Sequence, residues 1–316
     1  MRLHLDITNN CNLRCKTCIR EYRHGVNLDP TLIASIIPQA KKIGLIDVSF
    51  TGGEPALHPY FEKIIDTVVN QNMKFSFISN GFFLDKYKFL IEKYKNYLTA
   101  ANFSLDGSTK NIHDKIRQEG SFNRVLKSIR YFQSNNINTF ITMTLNKLNM
   151  HQIKEMLDLA LSLKVRGLKF TTAIETAFNS KIVLNTRQRL KCFLYINELF
   201  PLYSDRINIY ITHALYTKGG INFCSRMNEL STMTINPKGN MTFCCDTVGD
   251  GYIIGSLYKE SFISLFDKYI NEVYKLKRER LNIIIQEKKI KGFNTCEFCN
   301  LYYREKYLKN VGKPTR

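Results

Sequence analysis

The sequence predicts an α/β fold built on a parallel sheet, and three observations carry that prediction. Short alternating or wholly apolar runs recur, each followed by a stretch with apolar residues at helical spacing. Six such strand–helix units follow one another before residue 200. Polar and glycine-containing motifs fall directly after the strands. A series of this kind forms a parallel sheet with right-handed crossovers, and functional groups collect on the loops at the C-terminal ends of the strands.

In chain order, residues 3–8 alternate as the first strand, and helix 30–42 carries Leu32, Ile33, Ile36 and Ile37 on one side. Residues 45–50 form the second strand and 61–69 its helix; 74–79 form the third, with helix 85–94. Strand four spans 99–105, with Phe122, Val125, Leu126 and Ile129 as the following helical stripe. Strand five spans 138–145, followed by the stripe Ile153, Met156, Leu157, Ala160 and Leu161. Residues 167–172 are strand six and 187–199 its helix. Near residue 200 the repeat stops, and Pro201 with Tyr203, Ser204 and Asp205 reads as a boundary between domains 1–200 and 201–316. Beyond it, residues 233–243 read as a hairpin turning at Pro237, Lys238 and Gly239. A basic helix follows over 262–289, its Lys and Arg cluster at 275–291 reading as a solvated face.

The apolar fraction of 44% is that of a chain with a real core. No run of about 18 apolar residues occurs, so no membrane span is expected. The first residues lack the basic and apolar regions of a signal peptide, which points to the cytoplasm. A net charge of +19 favours anionic partners and disfavours polycationic ones. The nine cysteines are odd in number and clustered, which argues for metal binding over a disulfide framework. Cys192, in a helical pattern between Lys191 and Phe193, reads as a small core residue.

Cys11, Cys15 and Cys18 occur in C-x3-C-x2-C spacing on the loop that leaves the first strand. Three thiolates on one short loop can hold three corners of a cubic iron–sulfur cluster and leave the fourth iron open. A zinc site would need a fourth ligand nearby, for which His24 is a loose candidate. Thr51, Gly52, Gly53, Glu54 and Pro55 follow the second strand; the glycines allow close approach of a ligand, and an ammonium would find carbonyls and a carboxylate there. Ser79, Asn80 and Gly81 end strand three, and Ser104, Leu105, Asp106 and Gly107 end strand four. His113, Asp114, Arg117 and then Gly120, Ser121 and Phe122 come next, and Asn146 follows strand five.

Together these motifs resemble the radical S-adenosylmethionine (SAM) enzymes. The resemblance implies a partial (β/α)6 TIM barrel with a small C-terminal α+β auxiliary-cluster domain. It implies a [4Fe–4S] cluster on Cys11, Cys15 and Cys18 whose open iron binds SAM. Gly52, Gly53 and Glu54 match the motif that takes the methionine amino group. Ser79, Asn80 and Ser104 suit the ribose hydroxyls and carboxylate of SAM; Arg117 suits its carboxylate, and Asn146 a ribose contact. Thr17 stands where the family usually has an aromatic, a departure that bears on adenine contact and not on the cluster.

Cys224, Gly239, Cys244, and Cys296 with Cys299 resemble the Twitch form of the SPASM-type extension. That resemblance implies that Cys224, Cys244, Cys296 and Cys299 ligate a second, auxiliary [4Fe–4S] cluster; four thiolates also suit zinc. Cys245 is a candidate hydrogen-atom donor, or an inert neighbour of that cluster.

The implied reaction is reductive cleavage of SAM to a 5′-deoxyadenosyl radical, which abstracts hydrogen from a substrate carbon. The electron comes from a donor such as flavodoxin or ferredoxin. The expected outcome is peptide modification by epimerisation or oxidation, on an acidic peptide. An anionic small molecule, such as a phosphorylated or nucleotide-linked sugar, is the second reading. Peptide-modifying members often carry an extra N-terminal recognition domain, whereas this sequence opens at its first strand. A zinc-stabilised nucleic-acid binder is the non-enzymatic alternative; it leaves Gly52, Gly53, Glu54 and the six-unit sheet unexplained.

Overall fold

The structure is a computed structural model that describes residues 2–19, 25–176, 179–212, 215, 232–244, 253–287, 296 and 299. Six parallel strand–helix units are present where the periodicity places them. The strands are β1 (Arg2–Thr8), β2 (Asp47–Gly52), β3 (Lys74–Ser79), β4 (Leu98–Ser104), β5 (Thr139–Leu145) and β6 (Gly167–Thr172). Between them run α1 (Pro30–Lys42), α2 (Phe61–Asn70), α3 (Lys88–Tyr94), α4 (Lys110–Ile116), α5 (Ser121–Ser134) and α6 (Ile153–Ser162); α7 (Thr186–Tyr203) follows β6. Each of the six strands pairs in parallel with the next in sequence. This is the α/β partial-barrel arrangement of (β/α) units.

Local chemistry explains several element ends. Asp29 caps α1 by accepting from the Thr31 N–H at 2.8 Å, and Pro30 occupies the first helical position, where its missing N–H costs nothing. Asn185 and Gln188 form a reciprocal capping box at the start of α7. The short α4, absent from the sequence expectation, fills the connection between β4 and α5.

The series runs further than its sixth unit. Helix α7 continues through Pro201 to Tyr203, whose hydroxyl donates to Asp158 at 2.6 Å and ties the helix end to α6. A seventh strand, β7 (Asn208–Ile211), then pairs in parallel with β6. Its four residues are too few to stand out beside the Pro201 signal. On the other side, β8 (Thr232–Ile235) pairs in parallel with β1, and β9 (Asn240–Thr242) and β10 (Ile253–Ser256) follow antiparallel. The expected hairpin is therefore present, turned at Gly239 with φ +72° and with the Asn236 side chain accepting from Lys238 and Asn240 N–H. The sheet order is β10-β9-β8-β1-β2-β3-β4-β5-β6-β7.

One face of this sheet is apolar. Leu3, Leu5, Val48, Phe50, Phe75, Phe77, Phe103, Ile141, Leu168 and Phe170 are fully buried there. Each such side chain contributes about 1.5–3 kcal/mol of transfer free energy. On the strands their neighbours, such as His4, Ser49, Ser76, Asn102, Ser104, Thr142, Lys169 and Thr171, belong to the opposite face by the two-residue alternation. Cys192 lies in the core at 1% exposure, as expected.

The last described helix, α8 (Phe262–Glu287), buries Phe262, Leu265, Tyr269, Val273 and Leu276. The solvated-face expectation for its basic cluster holds at exposed Lys275 and Arg278 and fails at Arg280, which is buried among these apolar positions. Residues 288–291 lie outside the described residues. No helix among the described residues is long and apolar enough to cross a membrane.

Candidate functional site

The loop after β1 is built onto the loop after β2. Gly53 N–H donates to the Thr8 carbonyl at 2.7 Å, and Glu54 N–H to the Asn10 carbonyl at 2.8 Å. A Cβ on Gly52 would stand 2.2 Å from the Thr8 carbonyl oxygen, and one on Gly53 2.1 Å from that of Asn10. Gly52 also has φ +131°, a conformation that L side chains rarely adopt. The glycines are thus required by the approach of the cysteine loop itself, where the sequence suggested approach of a ligand.

Asn9 and Asn10 then fasten the far side of the loop. Asn9 accepts from Val26 N–H, Asn10 from Gly25 N–H, each at 2.9 Å, and Thr8 donates to the Asn27 amide at 2.6 Å. The thiols of Cys11, Cys15 and Cys18 sit half-buried on the segment so held. They are close enough that each of Cys11 and Cys15 feels Cys18. Among the described residues no three His, Cys, Asp or Glu groups converge as they would around a single metal ion.

Two donors from other loops reach these sulfurs, one after β3 and one at the end of α4. Asn80, after β3, directs its amide at Cys11 Sγ (3.8 Å) and donates to Asn12 Oδ1 (2.9 Å). Arg117, at the end of α4, directs Nη1 at Cys15 Sγ, also at 3.8 Å. The Leu13 N–H lies 3.5 Å from Cys11 Sγ. Burial pushes both thiols up, Cys15 to about 11; the Leu13 N–H opposes that shift at Cys11, and the Arg117 charge opposes it at Cys15.

Two buried carboxylates hold those donors. Glu54 is fully buried and accepts from Ser79 Oγ (2.9 Å), Asn80 N–H (2.9 Å) and the Tyr87 hydroxyl, with the Ala56 N–H also directed at it. A carboxylate has about four acceptor positions, so this one is occupied by the protein. Burial pushes the Glu54 carboxyl up and its donors pull it back; Tyr87, raised well above its ordinary value by burial and then by Glu54, stays a protonated donor. Tyr87 is placed by the core, its ring stacked on Phe77 at 4.6 Å.

Asp106, also fully buried, pairs with Arg117 Nε at 2.7 Å and accepts from Thr144 N–H at 2.7 Å. Burial works against the guanidinium charge, but Asp106 and then Cys15 outweigh it. His113 accepts from the Asp106 N–H through Nδ1 (3.1 Å), so its proton rides on Nε2, which has no hydrogen-bond partner among the described residues. Burial, and then Arg117, push this imidazole down to about 3.

Of the expected SAM-binding residues, Ser79 and Asn80 converge on Glu54 and the cysteine loop, and Arg117 on Cys15. Ser104 lies at the end of β4, half-exposed, its backbone in the ladder with β5 and its hydroxyl not engaged by the described residues. Asn146 is engaged by its own loop, donating to the Thr144 carbonyl and accepting from Leu148 N–H, each at 2.9 Å. Tyr87 and Asn12 carry no local signal, and His113, although part of the stretch after strand four, none for its role: each gains its place only through a partner seven or more residues away. Cys244, Cys296 and Cys299 are half-buried, and Cys244 and Cys299 pack against the core. Cys224, Cys245 and His24 lie outside the described residues.

Residues 5–160 match the Radical SAM superfamily, so the chain carries a radical SAM domain. The cofactors of that class are a [4Fe–4S] cluster and SAM. The subtilosin biosynthesis protein AlbA of Bacillus subtilis is 24% identical over 282 residues, covering 84% of this chain and 60% of its own. The GTP 3′,8-cyclase of Clostridium perfringens is 31% identical over 170 residues, covering 50% of this chain and 51% of its own. The chain thus spans 60% or less of the length of these relatives.

Streptococcus suis SuiB bound to SAM superposes with TM-score 0.70 at 16% identity, covering 84% of this chain and 65% of that one. The anSMEcpe protein with bound AdoMet does so with TM-score 0.69 at 16% identity, covering 98% of each. These likenesses establish the fold.

Proposed function

We propose that Cys11, Cys15 and Cys18 hold a [4Fe–4S] cluster and that the enzyme modifies a peptide. The observation that carries the first part is a triad of neighbouring thiols on one clamped loop, two of them met by donors from beyond β3 and from the end of α4. Sulfur ligands with hydrogen-bonding outer partners suit such a cluster. A cluster held by Cys11, Cys15 and Cys18 would supply one-electron chemistry, drawing on a donor such as flavodoxin or ferredoxin, for reductive cleavage of SAM to a 5′-deoxyadenosyl radical able to abstract substrate hydrogen.

The chain's own residues bind and orient. The Gly52–Gly53 backbone and Ser104 contact SAM, and Arg117 takes its carboxylate with the nitrogen not used by Asp106 or Cys15. Glu54, Ser79, Asn80 and Asn146 shape the site behind them. Cys224, Cys244, Cys296 and Cys299 hold an auxiliary cluster in a domain spanning 201–316, and Cys245 beside it is the candidate hydrogen donor for an epimerisation.

A peptide substrate is supported by AlbA, named for bacteriocin biosynthesis, over 84% of the chain. The fold is shared with SuiB bound to the precursor peptide SuiA and with anSMEcpe bound to AdoMet and the Cp18Cys peptide. The net charge of +19 suits an acidic peptide. An anionic small molecule is the second reading, favoured by the GTP 3′,8-cyclase relatives.

Anaerobic protein is expected to carry about eight iron per chain for two four-iron clusters, or about four for one. It should release 5′-deoxyadenosine from SAM under reduction, faster with an acidic precursor peptide. Zinc without iron sinks the reading; stimulation by nucleotides but not peptides transfers it to the small-molecule class. Cys245→Ala should abolish an epimerised product while SAM cleavage continues, and unchanged turnover removes the thiol's role.

A further inference from the structure

Arg117 is held more firmly than binding a carboxylate from solution requires. The Ile116 carbonyl accepts from Lys16 N–H at 2.8 Å, which fastens the cysteine loop to the end of α4. Arg117 Nε faces Asp106 Oδ2 at 2.7 Å, and Nη1 faces Cys15 Sγ at 3.8 Å. Asp106 is itself fixed on every side. Its Oδ1 accepts from Thr144 N–H (2.7 Å), its N–H donates to His113 Nδ1 (3.1 Å), and its carbonyl accepts from Asn149 Nδ2 (2.8 Å). The guanidinium therefore has one place to be, beside a sulfur.

The donors that the described residues direct at Cys11 are different in kind. They are the neutral Leu13 N–H and the neutral Asn80 amide. Potentials of thiolate-bound clusters depend on local charge and on hydrogen bonds to the sulfurs. A cation donating to a ligand sulfur favours the electron-rich, reduced state, and it does so most strongly where water is excluded.

We propose that Arg117, positioned by Asp106, raises the reduction potential of the cluster held by Cys11, Cys15 and Cys18 through its contact with the Cys15 sulfur. The step it biases is addition of one electron from an external reductant. No bond is made or broken and no proton moves, because Arg117 is charged in both states. This inference rests on the cluster assignment proposed above.

The test is a redox titration of the anaerobically loaded full chain without SAM, using dithionite and mediators. It follows the EPR signal that SAM added afterwards perturbs. Arg117→Met should lower the reduced-to-oxidised ratio at a fixed ambient potential about tenfold, a midpoint shift of about 59 mV for one electron. The double variant Asp106→Asn/Arg117→Met removes both buried charges and serves where the single variant fails to load. Its midpoint should fall in the same direction by less, since the nearer charge is the cation. A loaded variant, single or double, with a midpoint at or above the wild-type value overturns the proposal. Wild-type protein that takes up no iron overturns the cluster assignment instead, so the two failures are distinct.

Discussion

Glu54 and Asp106 are both fully buried carboxylates at strand ends, and both act on the cysteine loop through one intermediate residue. Glu54 is met by uncharged donors from Ser79, Asn80 and Tyr87, and the residue it steadies offers Cys11 an amide. Asp106 is met by a guanidinium that reaches Cys15. One carboxylate thus organises geometry, while the other holds a charge in place. The difference lies in what meets each carboxylate, neutral donors or a cation, since burial is the same for both.

The sharpest way to break this comparison is to remove the anion from the charged pair. Asp106→Asn leaves a buried guanidinium without its partner and should cost about 3–5 kcal/mol in urea denaturation. The double variant with Arg117→Met should recover much of that, and simple additivity in the cycle would show that the two do not interact. On the neutral side, Tyr87→Phe withdraws one donor from a buried carboxylate. It should cost about 1.5–3 kcal/mol, and a Tm equal to wild type would remove Tyr87 from the network.

Gly53→Ala drives a methyl into the Asn10 carbonyl, for a loss of about 1–3 kcal/mol together with lower iron per chain. Full iron at wild-type stability would mean the loop yields freely.

The pH dependence follows from His113, which sits against the Asp106 backbone. Unfolded, the imidazole takes up a proton below about 6.5; folded, it stays neutral to about 3. The unfolded state binds more protons across that window, so stability falls as pH drops below 6.5, by about 1.4 kcal/mol per unit from this group. His113→Asn, which keeps an acceptor for the Asp106 N–H, should flatten that part of the profile. An unchanged slope would place the effect elsewhere. The half-exposed Arg2–Asp47 pair is the baseline: Arg2→Ala should change stability by about 0–1 kcal/mol, and a larger loss would mean the surface pair resembles the buried one.

Much of this arrangement is legible in the residues alone, for physical reasons. Alternation and helical stripes locate β1 to β6, because one buried face writes a period into each element. Cys11, Cys15, Cys18, Gly52 and Gly53 stand out because their spacing and type are local properties. What stays hidden is reach. Glu54 looks like a ligand for an ammonium until Ser79 and Tyr87, 25 and 33 residues away, are folded onto it. Asp106 looks like an ordinary turn residue until Arg117 and Thr144 converge on it. Arg280 looks solvated because its charge outweighs its place, at helical spacing after Tyr269, Val273 and Leu276, on the buried face. Strand β7 is hidden for the opposite reason: it is local, but only four residues long beside a proline.

The pairing of β8 with β1 has a consequence for the order in which the molecule is made. Arg2–Leu5 are bonded on one side to Asp47–Phe50 and on the other to Thr232–Ile235. During synthesis β1 is paired on one side only until residues 232–235, more than two hundred residues further along, have followed. The loop that carries Cys11, Cys15 and Cys18 therefore gains its full sheet support only when β8 docks, late in the assembly of the fold.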